Sequence, residues 1–388
     1  MKIVDIREKT ISLADPMRSA AIGFDHMTVS AVAVVTDRLR DGKPLVGYGF
    51  GSIGRYGQSG LLRDRFIPRL LAADPDTLSD GAGGGLDPFR VHDAMMANEK
   101  SGGHGERPGA VGVLDMAIWD AIAKADDKPL WSLLAEYFNP EEPAMRVPVY
   151  ASGGHYHSSG GMGALTDELM SYLDLGYQRI KIKIGGAPHI EDMARVEAAL
   201  SVVGSGDNLA VDLNASLGAD MADDWLDALA SFGLAWVEEP VDPLDFALQA
   251  ALANRHESPM ATGENLFSMA DARNLIRHGG LRPERDILQF DIALSYGLVE
   301  YLRILDMLAG EGWSRRQCIP HAGHLLSLHA AAGLGLGGCE AAPDASLLYG
   351  GFSDGTRVED GFVALPQVPG IGFETKANLW AILQPLGQ

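Results

Sequence analysis

The sequence predicts an α/β protein: a barrel of parallel strands preceded by a smaller α+β domain. Two observations predict it. From Val147 onward short apolar runs recur, each followed by polar residues and then a helical pattern. The polar residues also cluster at the C-terminal ends of the runs. One from each of the last six gives Lys183, Asp212, Glu238, Glu264, Asp291 and His321, separated by 29, 26, 26, 27 and 30 residues. Steps of this size hold one strand, one helix and two short loops, the repeat of a parallel βα unit. Seven or eight such units close into a barrel whose site lies at the C-terminal strand ends, so the six side chains would share one cup. An open doubly wound sheet places its ligand crevice at one switch point and would not gather six consecutive strand ends.

The first 140 residues have a different texture. Lys2 to Ser12 alternates as a strand does, and apolar runs follow at Ser30 to Val35 and Leu45 to Phe50 with turn residues between them. From Ala110 to Glu136 apolar residues keep helix spacing (Val113, Leu114, Met116, Ala117, Trp119, Ala121, Ile122), and Pro129 marks a break. The barrel runs are VPVYA (147–151), RIKIKI (179–184), LAVDL (209–213), LAWVEE (234–239), MATGE (260–264), DILQFD (286–291) and QCIPH (317–321). Beyond about Gly333 the chain turns Gly-rich and then irregular. The expected division is an α+β domain at 1–140, a barrel at 141–345, and a segment at 346–388 that packs back on the first domain.

With 388 residues, 46% hydrophobic and 21% charged, the chain has room for one large barrel and a companion. The 31 Lys+Arg against 52 Asp+Glu leave a net charge of -21, which repels phosphate backbones and anionic headgroups. Neither nucleic acid nor membrane is therefore expected as a partner. An anionic substrate meets the same field unless lysines or a metal ion concentrate positive charge at the site. Cys318 and Cys339 are the only cysteines, few for a secreted chain of this size, and nothing demands a disulfide between them. The N-terminus MKIVDIREKTISL lacks the apolar core of a signal peptide, and no apolar stretch reaches the ~18 residues of a membrane span. The expected compartment is the cytoplasm.

Asp212, Glu238 and Glu264 are three hard oxygen ligands on successive strand ends with no His or Cys beside them, which suits Mg2+ better than Zn2+. Singly, each can be read as a helix cap. Three at equal spacing are a different matter, because three buried anions without a cation are too costly to keep ionised. Lys181 and Lys183 alternate with isoleucines and share one strand face, inward in a barrel, whereas on an edge strand they would be solvated. Two ammonium groups beside a divalent ion depress one another's pKa values, which can leave one amine neutral and able to act as a base. Asp291 and His321 end neighbouring runs, so a carboxylate can fix and charge an imidazole. His324 and His329 stand nearby, but the strand-end rule selects His321. Asn214 can meet a substrate oxygen or cap the following helix. Glu340 falls near the eighth strand position, where it can face the same cup or lie on the surface.

Taken in order, KIKIGG, VDLN, WVEEP, TGEN, FDIALSYG and CIPHAGH resemble the enolase superfamily, mandelate racemase subgroup, and the likeness runs over most of the chain. The resemblance implies a (β/α)7β TIM-like barrel capped by an N-terminal α+β domain whose loops close over the substrate. It implies Asp212, Glu238 and Glu264 as Mg2+ ligands, with Glu238 chosen over Glu239, Lys183 as the base of a KxK pair, and His321 with Asp291 as a dyad. Within the subgroup, GRYGQSGL, NEKSGGHGER, DPLDFALQAALA, MATGENLFS and PHAGH are most similar to the tartrate dehydratases. Where those enzymes carry asparagines in two lid loops, this chain has Ser19 and Ile53, and such polar contacts govern discrimination. Lys100 is a candidate contact for a second substrate carboxylate. The expected substrate is a small anionic hydroxy acid and the expected assembly a homo-oligomer. Mg2+ and Lys181 would hold the carboxylate, Lys183 would take the α-proton, and His321 would protonate a departing β-hydroxyl to give a 2-keto acid. Racemisation or epimerisation through the same enolate is the first alternative. A barrel that binds a metal or an acid without turnover is the second.

Overall fold

Alternating apolar residues at the start of the chain make a three-stranded antiparallel sheet in the order β1 (Ile3–Ser12), β2 (Thr28–Arg40), β3 (Lys43–Phe50). The computed structural model describes residues 1–388 except 14–17, 82–83, 140–144, 157–160, 345–346 and 349. A helical stretch at 59–72 and helix α1 (Pro88–Met96) lead to α2 (Glu106–Ala125), which is buried almost all round because it lies between the sheet and the barrel. The helical pattern at 110–136 is two helices. Pro129 lacks an amide donor and its ring blocks the preceding turn, so α2 ends and α3 (Leu130–Phe138) starts afresh.

Six parallel strands then follow in sequence order: β4 (Arg146–Gly153), β5 (Ile180–Lys183), β6 (Leu209–Asp212), β7 (Trp236–Glu238), β8 (Met260–Thr262) and β9 (Ile287–Leu288). The seventh position is a single parallel bridge between Leu288 and Cys318. The eighth, β10 (Cys339–Ala341), pairs in parallel with β4. Gly337 N donates to Cys318 O at 3.0 Å and closes the ring. Between the eight positions run seven helices: α4 (Gly161–Asp174), α5 (His189–Val203), α6 (Ala222–Ala230), α7 (Phe246–Arg255), α8 (Met269–His278), α9 (Leu298–Gly310) and α10 (Leu325–Leu334). This is the (β/α)7β barrel that the sequence predicts. Its floor is filled by Tyr150, Trp236, Ala210, Ala261 and Ile319, the two rings edge to face at 5.0 Å, so the interior is packed and only its upper end is polar.

Beyond β10 a hairpin of β11 (Val358–Glu359) and β12 (Phe362–Ala364) pairs with the start of β4. Helix α11 (Ala377–Leu383) reaches the first sheet, where Trp380 meets Tyr48 at 5.1 Å between ring centroids. Asp120 of α2, fully buried, accepts from Tyr48 N at 2.9 Å, Ile371 N at 2.7 Å and Lys124 Nζ at 2.6 Å, which ties the sheet, α2 and the last segment together. The expected divisions at 140/141 and 345/346 lie outside the described residues. Cys318 and Cys339 are buried free thiols. Among the described residues no helix is long and apolar enough to cross a membrane.

Candidate active site

The barrel register sets the chemistry. Lys183 of β5 pairs with Asp212 of β6, and Asp212 pairs with Glu238 of β7, so the three lie at one level. Glu264 stands two residues past the end of β8, where Gly263, at φ +125, turns the chain inward. Asp212, Glu238 and Glu264 are buried, and each offers an oxygen within 4.8 Å of the others. Lys181 is wholly enclosed and bonds Glu238 Oε1, with Glu340 Oε1 at 3.2 Å and Asp212 Oδ2 at 3.5 Å. Lys183 bonds Asp212 Oδ2. Glu238 Oε2 also accepts from Trp236 Nε1 at 2.9 Å and Gln289 Nε2 at 2.7 Å.

Six buried carboxylates (Asp212, Glu238, Glu239, Glu264, Asp291, Glu340) thus meet three cations, Lys181, Lys183 and His321. The shortfall is visible in the titration of the group. Burial pushes Glu238 up to about 8, and the repulsion of Asp212, Glu264 and Glu340 adds to it despite Lys181. Burial and the Glu264 charge likewise raise Glu239 well above its ordinary value. Asp212 goes the other way, because two lysines outweigh its burial. Glu264 Oε2 and Asn214 Oδ1 are buried with no hydrogen-bond partner among the described residues. Three hard oxygen donors, unpartnered acceptors and missing positive charge fit Mg2+.

The carboxylates around Lys183 hold it above its ordinary value: burial pulls it down, but Asp212, Glu264 and Glu238 together outweigh burial and Lys181. A divalent cation at the same carboxylates acts in the opposite sense on both amines.

His321 Nδ1 donates to Asp291 Oδ2 at 2.8 Å, and Nε2 lies 3.6 Å from Glu264 Oε2. Burial opposes its charge, but Glu264 and Asp291 outweigh it and push the ring up to about 10. His321 and Asp291 sit just beyond their strand ends, as do Asn214 and Glu264. The other two histidines of the segment have structural partners. His324 Nδ1 accepts from Ser327 N at 3.3 Å at the start of α10, and His329 is held between Trp131 N and Ile371 O.

Lys183, His321, Glu264 and Asn214 line one cavity, whose other wall is Ser19, Ile22, Phe24 and Ile53 from the first domain. Ser19 Oγ accepts from Ala21 N and Ile22 N, both at 3.2 Å, within its own turn. Asn214, at φ +44, donates to Asp212 Oδ2 at 3.3 Å; α6 begins only at Ala222, so Asn214 is not its cap. Glu340 is the middle residue of β10 and faces inward: Lys181, His321 and Lys183 outweigh its burial and hold it low, and Ala322 N donates to its Oε2 at 2.9 Å. Lys100 does not join them. It is exposed and does not line the cavity, because Arg107 grips its segment through Lys100 O at 2.9 Å and Gly102 O at 2.7 Å. The sequence reading also passes over three residues. Gln289 lies two before Asp291 on the same alternation, and Asn265 follows Glu264 in TGEN and lines the cavity, so both were within reach of the pattern. Ser52, whose Oγ donates to Asp291 Oδ2 at 2.5 Å, has no such signal.

A family profile described as Enolase C-terminal domain-like matches residues 164–379. The 3,6-anhydro-alpha-L-galactonate cycloisomerase of Streptomyces coelicolor is 30% identical over 371 residues, 92% of this chain and 93% of that protein. The L-talarate/galactarate dehydratase of Salmonella typhimurium is 28% identical over 331 residues, 83% of this chain and 76% of that protein. Among solved structures, L-talarate dehydratase from Polaromonas sp. JS666, complexed with Mg and L-glucarate, superposes with a TM-score of 0.75 at 26% identity, covering 96% of this chain and 94% of that one. With the barrel, the carboxylate trio and these likenesses in hand, the chain belongs to the enolase superfamily, in its mandelate racemase group.

Proposed function

We propose that the protein is a Mg2+-dependent acid-sugar dehydratase, a hydro-lyase that removes the proton α to a carboxylate and expels the β-hydroxyl. Small diacids of the tartrate kind are its first candidate substrates. The observation that carries this reading is that Lys183 and His321 front one cavity beside Asp212, Glu238 and Glu264, with the imidazole bound to Asp291 at 2.8 Å. Names among its relatives, a talarate/galactarate dehydratase for one, support the sugar-acid class.

Bound at the three carboxylates, Mg2+ supplies Lewis-acid stabilisation of the substrate carboxylate as negative charge spreads into it. Lys181, fixed by Glu238 and Glu340, adds positive charge beside the same position. Lys183 Nζ accepts the α-proton, the C–O bond to the β-hydroxyl breaks, and His321 delivers the proton that makes the leaving group water. Asp291 holds the ring so that Nε2 faces the cavity side. The enol product tautomerises to a 2-keto acid. Of the described lid residues that line the cavity, Ser19 alone has a polar side chain, so discrimination among acids falls on Asn214 and Asn265.

The same pair supports racemisation or epimerisation if base and acid meet opposite faces of the enolate. Incubating the Mg2+-loaded enzyme in D2O with a library of mono- and diacid sugars separates the two. Keto-acid release that vanishes in Lys183→Ala is the expected result; deuterium incorporation with inversion and no loss of water would replace dehydration by racemisation.

A further inference from the structure

We infer that Ser52 is a positioning residue for His321, the end of a Ser52–Asp291–His321 chain through which the first domain's loop 51–58 holds the proton donor in place. Ser52 lies two residues past the end of β3 and is 2% exposed. Its hydroxyl donates at 2.5 Å to Asp291 Oδ2, across 239 residues of sequence and across the junction between the first sheet and the barrel. That length is typical of a charge-assisted hydroxyl–carboxylate bond. The same oxygen accepts from His321 Nδ1 at 2.8 Å, and Asp291 Oδ1 accepts from Leu294 N at 2.8 Å. Three donors therefore fix the rotation of the carboxylate and, with it, the plane and direction of the ring. Without Ser52 the oxygen facing the ring keeps only the ring itself, and the carboxylate is free to turn toward another donor.

The loop that carries Ser52 is itself pinned. Gly51 N donates to Ser30 O at 2.7 Å, Gly57 N to Thr28 Oγ1 at 3.1 Å and Gln58 N to Ser30 Oγ at 2.8 Å, so both ends are tied to β2. Its next two residues, Ile53 and Gly54, line the cavity. One loop thus touches the substrate space and the acid's support at once. An acid that displaces Ile53 also pulls on the hydroxyl that orients Asp291.

The experiment compares full-length wild type, Ser52→Ala and Ser52→Thr. In one-dimensional proton NMR the Nδ1 proton between His321 and Asp291 is identified by its disappearance in His321→Asn. Ser52→Ala should shift or broaden that resonance, and Ser52→Thr, which keeps the hydroxyl, should leave it in place. The second arm rests on the dehydratase reading. In D2O, with the acid that wild type turns over, Ser52→Ala should raise the ratio of deuterium recovered in substrate to keto acid released by about tenfold, because only the second quantity needs a well-placed acid. Ser52→Thr should restore the ratio. An unmoved resonance with an unmoved ratio overturns the proposal, and so does an equal fall in exchange and release, which marks Ser52 as structural only. If wild type turns over no acid, the dehydratase reading fails by itself and the resonance decides the role of Ser52.

Discussion

Lys181 and Lys183 sit two residues apart on one strand and share Asp212, yet their surroundings assign them different work. The Lys181 side chain is wholly enclosed among Asp212, Glu238 and Glu340, while the Lys183 side chain keeps 11% exposure and lines the cavity. Removing Lys181 leaves Glu238 and Glu340 buried without their cation, so Lys181→Met should destabilise the fold by about 3–5 kcal/mol, read as a fall in the urea midpoint. Lys183→Ala unmakes one buried ion pair, but Asp212 keeps Lys181 at 3.5 Å and the Asn214 backbone amide at 2.8 Å. It should cost far less stability but lower keto-acid release roughly 10³-fold, the size of a lost proton-transfer group. Equal effects of the two substitutions on stability and on rate would contradict this division.

At the scale of elements, α2 shapes the active site from behind. A Cβ at Gly112 would stand 1.8 Å from Ala293 O, in the loop that follows β9 and carries both Asp291 and the Leu294 amide that holds it. Asp115, one turn on, accepts from Leu298 N at 2.6 Å at the start of α9. Gly112→Ala must push that loop away, so it should cost about 1–3 kcal/mol and slow dehydration as well, measured by denaturant midpoint and keto-acid release. His329 ties α10 to two other pieces: its Nδ1 accepts from Trp131 N at 3.0 Å and its Nε2 donates to Ile371 O at 3.0 Å, which requires the neutral ring. Burial pushes it down to about 4. A folded value below the unfolded one stabilises the protein above pH ~6.5, and that stability is lost as pH falls toward 4, about 2 kcal/mol of it by pH 5. The urea midpoint of wild type should therefore fall between pH 7 and 5 more steeply than that of His329→Gln. The strand order and the polar trio were legible because two signals coincide, the βα period and the residue type at each strand end. Ser52 was not, since a contact across 239 residues leaves no periodic trace.

Over the whole molecule, the net charge of -21 and the carboxylate-rich cup make metal binding a property of the fold. Asp212, Glu238 and Glu264 come from three strands, 26 residues apart in each step, so an unfolded chain does not assemble them. A ligand that binds only the folded state adds stability with concentration, about 3 kcal/mol at a hundredfold excess over its dissociation constant. The thermal midpoint should therefore climb with Mg2+ well past the point where an equal ionic strength of choline chloride has stopped acting, since screening alone is unselective. The sign of one variant makes the test sharper. Glu264 repels Glu238, whose carboxyl is already pushed up to about 8, and offers an oxygen to a cation at the trio. Glu264→Gln removes the repulsion and the ligand together. In EDTA it should unfold at or above the wild-type temperature, and in saturating Mg2+ below it, so the two stability curves cross. Parallel curves, with the same Mg2+ shift in both proteins, would mean that Glu264 holds no metal and that the cup owes its charge balance to Lys181, Lys183 and His321 alone.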